Sequence, residues 1–193
     1  MTTKSPRDRM IRSAATLFRR NGIEGTSFSD VLEHSKAPRG SIYHHFPKGK
    51  AQLAEETTRW AGDFIAAGLT AALDSEDPGA AIARFGSFWL GVLRDSDYAD
   101  GCPIMAAALE GDRMGGARDA ACAAFADWEA QIAAAVQRRG LPRERARSIA
   151  VLVISATEGA IVLSRAQRST EPLERVLAEL EQVVRSVVEG SRV

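Results

Sequence analysis

The sequence predicts an all-α protein in two parts: a three-helix N-terminal helix-turn-helix domain over residues 1–50, and a larger helical domain over residues 51–193. Three observations predict it. Apolar residues recur at spacings of three and four in segment after segment, the period of an amphipathic helix. Two short helical segments joined by a tight turn lie between Thr26 and Phe46. Charge is distributed unevenly: 25 Lys and Arg cancel 25 Asp and Glu overall, yet residues 1–50 hold 10 basic against 4 acidic side chains, leaving the remainder acidic. A basic segment is the electrostatic footprint that binding to phosphates requires, and an acidic remainder keeps the rest of the molecule off them.

The first helix runs from about Arg7 to Arg20, with Met10 or Ile11, Ala14 and Phe18 on its apolar face and Asn21-Gly22 as a stop. Lys4, Arg7 and Arg9 form a basic tail before it, suited to a minor groove, a phosphate backbone or solvent. The loop Gly22 to Thr26 leads into TSFSDVLEHSKAPRGSIYHHF. Here Ser27 N-caps a helix whose apolar face is Val31 and Leu32, because its side-chain oxygen accepts from orphaned first-turn amides. A second helix starts at Pro38, whose missing N–H costs nothing at a first helical position. Ile42 and Phe46 anchor it to a core. Arg39, Gly40, Ser41, Tyr43 and His44 are left to face something else.

A helix-turn-helix places its second helix in the major groove while flanking groups hold phosphates. The guanidinium of Arg39 suits guanine O6 and N7, and Gly40 removes bulk where the helix approaches the groove. Tyr43 and His44 suit phosphate oxygens, and Thr26 and Ser27 offer hydroxyls to phosphate as well as a cap. His44 and His45 point about 100° apart on a helix and have no other His or Cys nearby in sequence, so they do not make a metal site.

Beyond Phe46, Pro47 to Lys50 make a turn into a long helix with the stripe Leu53, Trp60, Phe64 and Leu69 or Leu73. Asp74 to Gly79 is a break in which Asp77 caps and Pro78 opens the next helix. That helix carries Ile82, Phe85, Trp89 and Val92 or Leu93 on one face, with Phe88 beside them. A break from Asp95 to Cys102 precedes a short apolar segment, Pro103 to Leu109. A seventh helix, about Ala117 to Arg139, has Phe125, Trp128, Ile132 and Val136 in register. Leu141-Pro142 restarts the chain into the apolar helix Ile149 to Leu163, and the last helix spans roughly Leu173 to Val188.

Residues 149 to 163 are apolar nearly all round, as expected of a helix covered by its own core on one side and a second subunit on the other. The expectation is a homodimer through the last two helices. The reader agrees, since one short helix makes too few base contacts and a two-fold pair makes enough. The apolar run falls short of the roughly 20 residues that span a bilayer, and Glu158 interrupts it, so no membrane span is expected. The N-terminus, MTTKSPRDRMIRSA, is charged and unlike a secretory signal, and two cysteines, Cys102 and Cys122, suit a reducing compartment; both point to the cytoplasm.

The stretch from Thr26 to Phe46 resembles the DNA-binding domain of the TetR family of bacterial repressors. The family's second helix reads as a small residue, a cation, Gly, Ser or Thr, an aliphatic, Tyr, two polar or aromatic positions and Phe, matched here from Pro38 to Phe46. Lys36 stands where the family usually has Gly in the turn, a position of positive φ that costs a non-Gly residue roughly 1 to 2 kcal/mol. The resemblance implies that Lys50, at the start of the long helix, touches phosphate and that this helix carries binding events to the reader. FPKGKAQL and GCPIMAAALEG further resemble a branch of drug-responsive repressors related to the lincomycin-resistance regulator of bacilli.

The same resemblance turns the aromatic positions of the middle helices into a candidate pocket for a small, largely apolar effector: Trp60, Phe64, Phe85, Phe88, Trp89, Phe125 and Trp128, with Met105 and Leu109 as a flexible wall. Glu158 suits a ligand or a cation, and equally an arginine across a dimer. Among enzyme constellations, the sequence has no phosphate-cradling Gly loop, no Ser nucleophile elbow and no His with Cys or Glu at metal spacing. No catalytic residue, metal or cofactor is therefore expected. The expected function is a dimeric regulator of a palindromic double-stranded DNA operator, most often a repressor in this family, released by its effector; activation would use the same contacts.

Overall fold

The computed structural model describes residues 5–38, 40–110 and 115–190. Its described residues form helices and no strand: α1 Pro6–Asn21, α2 Phe28–Ser35, α3 Ser41–His45, α4 Lys50–Leu73, α5 Pro78–Asp95, α6 Pro103–Glu110, α7 Gly115–Gln137, α8 Arg143–Gln167 and α9 Glu171–Gly190. The chain groups into two compact units, Met1–Phe64 with Cys102–Phe125, and Ile65–Gly101 with Ala126–Val193. The unit that carries the helix-turn-helix takes in most of α4, all of α6 and the first half of α7. Helices α4 and α7 each pass from one unit to the other without a break.

In the first unit, the apolar face of α1 explains its packing. Met10, Ala14 and Phe18 are buried, and with Ile23, Val31, Ile42, Phe46 and Leu53 they make a small core under α2 and α3. Cations predicted for a basic tail tie this core together instead: Arg7 pairs with Glu56 of α4 at 2.5 Å and lies over the Phe46 ring, while Arg9 donates to the Ser35 carbonyl. Lys4 lies outside the described residues. The C-terminus of α6 reaches the α1–α2 loop, where Glu110 accepts the amide of Glu24 at 2.7 Å.

In the second unit, α5, α8 and α9 pack on one another. Asp77 caps α5 by accepting the Gly79 amide, and Pro78 occupies the first turn as the sequence predicts. Arg185 of α9 pairs with Asp77 at 2.8 Å and Glu181 at 2.9 Å, joining the start of α5 to α9. Gly86 is the contact point further along, because a Cβ there would meet the Leu177 side chain at 2.4 Å. The α9 stripe faces inward through Leu173, Leu180, Val184 and Val188, all buried.

Helix α8 is longer than its apolar run, because Pro142 restarts the chain and the polar turn from Arg143 already winds as helix around buried Ala146. It is also less covered than a helix apolar all round suggests. Ile149, Ala150, Ala160 and Ile161 are buried, whereas Val151, Leu152, Val162 and Leu163 are 44–51% exposed. The helix is 25 residues long with a mean hydropathy of 1.7 over its most apolar window, values that the core helix of a soluble protein also reaches, and 39% of that window is buried within the protein.

Candidate nucleic-acid interface and ligand cavity

The reader is built from two caps and two anchors. Ser27 N-caps α2 through a reciprocal pair: its hydroxyl accepts the Asp30 amide, and the Asp30 carboxylate accepts the Ser27 amide at 2.7 Å. That amide, then the Ser27 hydroxyl, hold the Asp30 carboxyl below its ordinary range, with the charge of Lys50 assisting against the opposing effect of burial. At the other end Lys36 adopts φ 54, the left-handed conformation, and its amide closes the helix on the carbonyls of Leu32 and Glu33. A lysine therefore occupies the position that favours glycine.

Helix α3 is five residues long and begins at Ser41, a correction to the start expected at Pro38. The reason lies in the turn before it. The Pro38 carbonyl accepts both the Ser41 amide at 2.9 Å and the Ser41 hydroxyl at 2.7 Å, so Pro38 belongs to a turn that feeds the helix. Ile42 and Phe46 are fully buried, as anchors should be. Gly40 is exposed with open space around it. Tyr43 is 68% exposed and braced edge-on against Phe28, and His44 is exposed with its ring edge-on to His45. Arg39 lies outside the described residues.

Two other expected contact residues are partly committed elsewhere. Thr26 is 1% exposed and its hydroxyl donates to the Gly22 carbonyl at 2.8 Å, which corrects its reading as a phosphate donor: the polar group closes the α1–α2 loop. Lys50 donates to the Glu24 carbonyl at 3.0 Å from a half-buried position at the start of α4, so its ammonium sits beside the same loop. Ser27 lies on the surface, but its hydroxyl donates to the Asp30 carboxylate at 2.8 Å, which corrects its reading as a phosphate donor and leaves it the cap; Lys48 is also exposed.

The second unit contains two cavities. The larger, partly open to solvent, lies between α4, α5, α7, α8 and α9, lined by Leu69, Leu73, Pro78, Ala81, Ile82, Phe85, Ile132, Ala135, Val136, Ile149, Val153, Leu177, Leu180 and Val184, with Thr157 and Arg139. The smaller is bounded by Leu69, Phe85, Trp89, Trp128, Ile132, Val153, Ile154, Thr157 and Glu158. Of the expected pocket residues, Phe85, Trp89, Trp128 and Glu158 therefore meet at one cavity. Phe88 is 36% exposed and touches Trp89 edge-on.

The remaining five belong to the first unit. Trp60 and Phe64 stack on each other at 5.5 Å, with the Arg12 guanidinium over the Trp60 ring. Phe125 and Met105 are half-buried and Leu109 is 78% exposed. Helices α4 and α7 are both shared between units, and only their C-terminal parts reach the cavities. What the reading missed is aliphatic: Leu69, Ala81, Ala135, Val153, Leu180 and Val184 carry the correct helical spacing yet look like ordinary core.

Residues 10–57 match the family of bacterial regulatory proteins, tetR family, and residues 78–179 match the C-terminal domain of LmrA/YxaF-like transcriptional regulators. The chain belongs to the TetR family. An uncharacterized HTH-type transcriptional regulator of Mycobacterium tuberculosis is 38% identical over 190 residues, covering 94% of this chain and 95% of that protein. The HTH-type transcriptional regulator LmrA of Bacillus subtilis is 27% identical over 175 residues, covering 90% and 93%. The crystal structure of a TetR transcriptional regulator from Legionella pneumophila superposes with a TM-score of 0.86 at 23% identity, covering 95% of this chain and 99% of that one. As a TetR-family member the protein is a DNA-binding transcriptional regulator and not an enzyme, and it carries the all-α architecture of the family.

Proposed function

We propose that this regulator acts in the cytoplasm as a homodimeric repressor, binds a palindromic operator, and is released by a small, largely apolar ligand held in the second unit. The observation that carries the dimer is the outer face of α8. Val151, Leu152, Val162 and Leu163 stand half-exposed on it, with exposed Ser155 and Gly159 between them, a contiguous aliphatic strip that a second copy would cover. The exposed face of α9 is polar, through Glu174, Arg175, Glu179 and Gln182, so in the four-helix arrangement α8 supplies most of the apolar contact.

In the reader, Arg39 specifies a base, while Tyr43 and His44 hold phosphates and Gly40 and Ser41 allow close approach. Pro38 shapes the turn beneath them. Lys48 and Lys50 neutralise phosphate charge at the start of α4. The repressor sense follows the family's usual one. Release follows from linkage: a ligand lowers operator affinity only as far as it prefers the conformation whose two readers are wrongly spaced, and the operator weakens ligand binding by the same factor.

Two substitutions test the reader. Arg39→Ala costs about 1 to 3 kcal/mol on the cognate operator and relaxes preference at one base position, whereas Lys50→Ala weakens all duplexes alike. Uniform losses on every sequence for both variants would remove the distinction between base reading and phosphate holding.

A further inference from the structure

The two cavities share Leu69, Phe85, Ile132, Val153 and Thr157, so they are adjoining chambers with common walls. Their chemistry differs from end to end. In the smaller chamber Glu158 and Thr157, 7% and 5% exposed, bring polar groups to a lining that also holds Trp89 and Trp128. In the larger chamber every lining residue is aliphatic or aromatic apart from Thr157 and Arg139. Arg139 is spent on the backbone: its guanidinium donates to the Ala135 carbonyl at 2.7 Å and to the carbonyls of Ser75 and Glu76. It joins α7 to the α4–α5 turn and closes that end of the chamber.

We propose that the effector is an elongated amphiphile, with a hydrogen-bond-donating head against Glu158 and Thr157 and an apolar tail in the chamber walled by α9. This rests on the ligand-release reading above and adds the ligand's chemical class. An amine or alcohol donates a hydrogen to the carboxyl oxygens of Glu158, which a carboxylate has no hydrogen to do, and the tail chamber offers a hydrocarbon aliphatic and aromatic walls apart from Thr157 and Arg139. Amines and alcohols with a hydrocarbon chain or fused rings supply both the donor and the tail; a fatty acid supplies the tail without the donor. Phe85, present in both linings, is the residue past which the chain would thread.

The test uses primary alkylamines on the full-length protein, read by the fluorescence of the tryptophans at the head chamber and by release of an operator duplex. Each added CH₂ buried in the tail chamber strengthens binding about fourfold, so 1-octylamine is expected to bind roughly 200-fold more tightly than 1-butylamine, and octanoate far more weakly than 1-octylamine. Ala81→Leu and Ala135→Leu, on α5 and α7, each extend a side chain into the tail chamber. In either variant 1-octylamine is expected to bind no more tightly than 1-butylamine. With two sites on different helices, a folding defect in one variant leaves the other decisive. Chain-length dependence that survives in a folded variant overturns the tail assignment, and octanoate binding as tightly as the amine overturns the head assignment; in both cases ligand release of the operator still stands. If neither amine changes the fluorescence or releases the operator, the head-and-tail class is overturned, and release by some other apolar ligand is then tested independently of it.

Discussion

Lys36 shows at a single residue how the reader's geometry overrides local preference. Its left-handed backbone is the one the α2 C-cap needs, and the lysine side chain bears a cost of about 1 to 2 kcal/mol for adopting it. Glycine would remove that cost but lose about 0.5 to 1 kcal/mol of chain entropy, so Lys36→Gly is expected to stabilise the protein by roughly 0.5 to 1 kcal/mol in urea unfolding. An unchanged or lower midpoint would contradict the account. Asp30 gives a pH dependence with a definite sign. Its carboxyl is held below the ordinary range by the Ser27 amide, so the stability it contributes is complete above the unfolded carboxyl value and is lost as pH falls through the lower folded one. Wild type should therefore lose more stability than Asp30→Asn on acidification from pH 6 to 3 in thermal unfolding, the two converging at the acid end; parallel curves would remove the capping box from the explanation.

At the scale of elements, the sequence disclosed most where apolar spacing and caps coincide. Ser27, Asp77-Pro78 and the buried faces of α1 and α9 were readable because each has one physical role. Two helices were harder. The start of α3 moved from Pro38 to Ser41 because two hydrogen bonds to one carbonyl made a turn, which first-position preference does not foresee. The extent of α8 was underestimated because its first turn is polar and apolar pattern alone marks burial, not helix length. The cavities of the second unit were half legible: Phe85, Trp89, Trp128 and Glu158 line one of them, whereas Trp60 and Phe64 fall in the first unit, where they stack on each other beside Arg12. The exposed strip of α8 makes its own prediction. Leu163→Glu places charge in the proposed interface without entering the monomer's core, so it is expected to yield a folded monomer in sedimentation with operator affinity reduced at least tenfold. A dimer of undiminished strength would move the interface elsewhere.

For the whole molecule, a zero net charge conceals a division that composition alone would miss. Residues 1–50 are basic and the remainder equally acidic, which favours DNA at one end of the chain and disfavours it elsewhere. The central claim is that two readers on one dimer recognise a palindrome and hold its phosphates. It is tested most directly by measuring affinity for duplexes from the gene's own upstream region and for a scrambled duplex, between 50 and 200 mM salt. With Lys48 and Lys50 of both protomers paired to phosphate, the logarithm of affinity should fall against the logarithm of salt with a slope of about −3.6, on a palindrome preferred over the scrambled sequence. A flat salt dependence, or equal affinity for every duplex including those recovered by selection from random sequence, would contradict it.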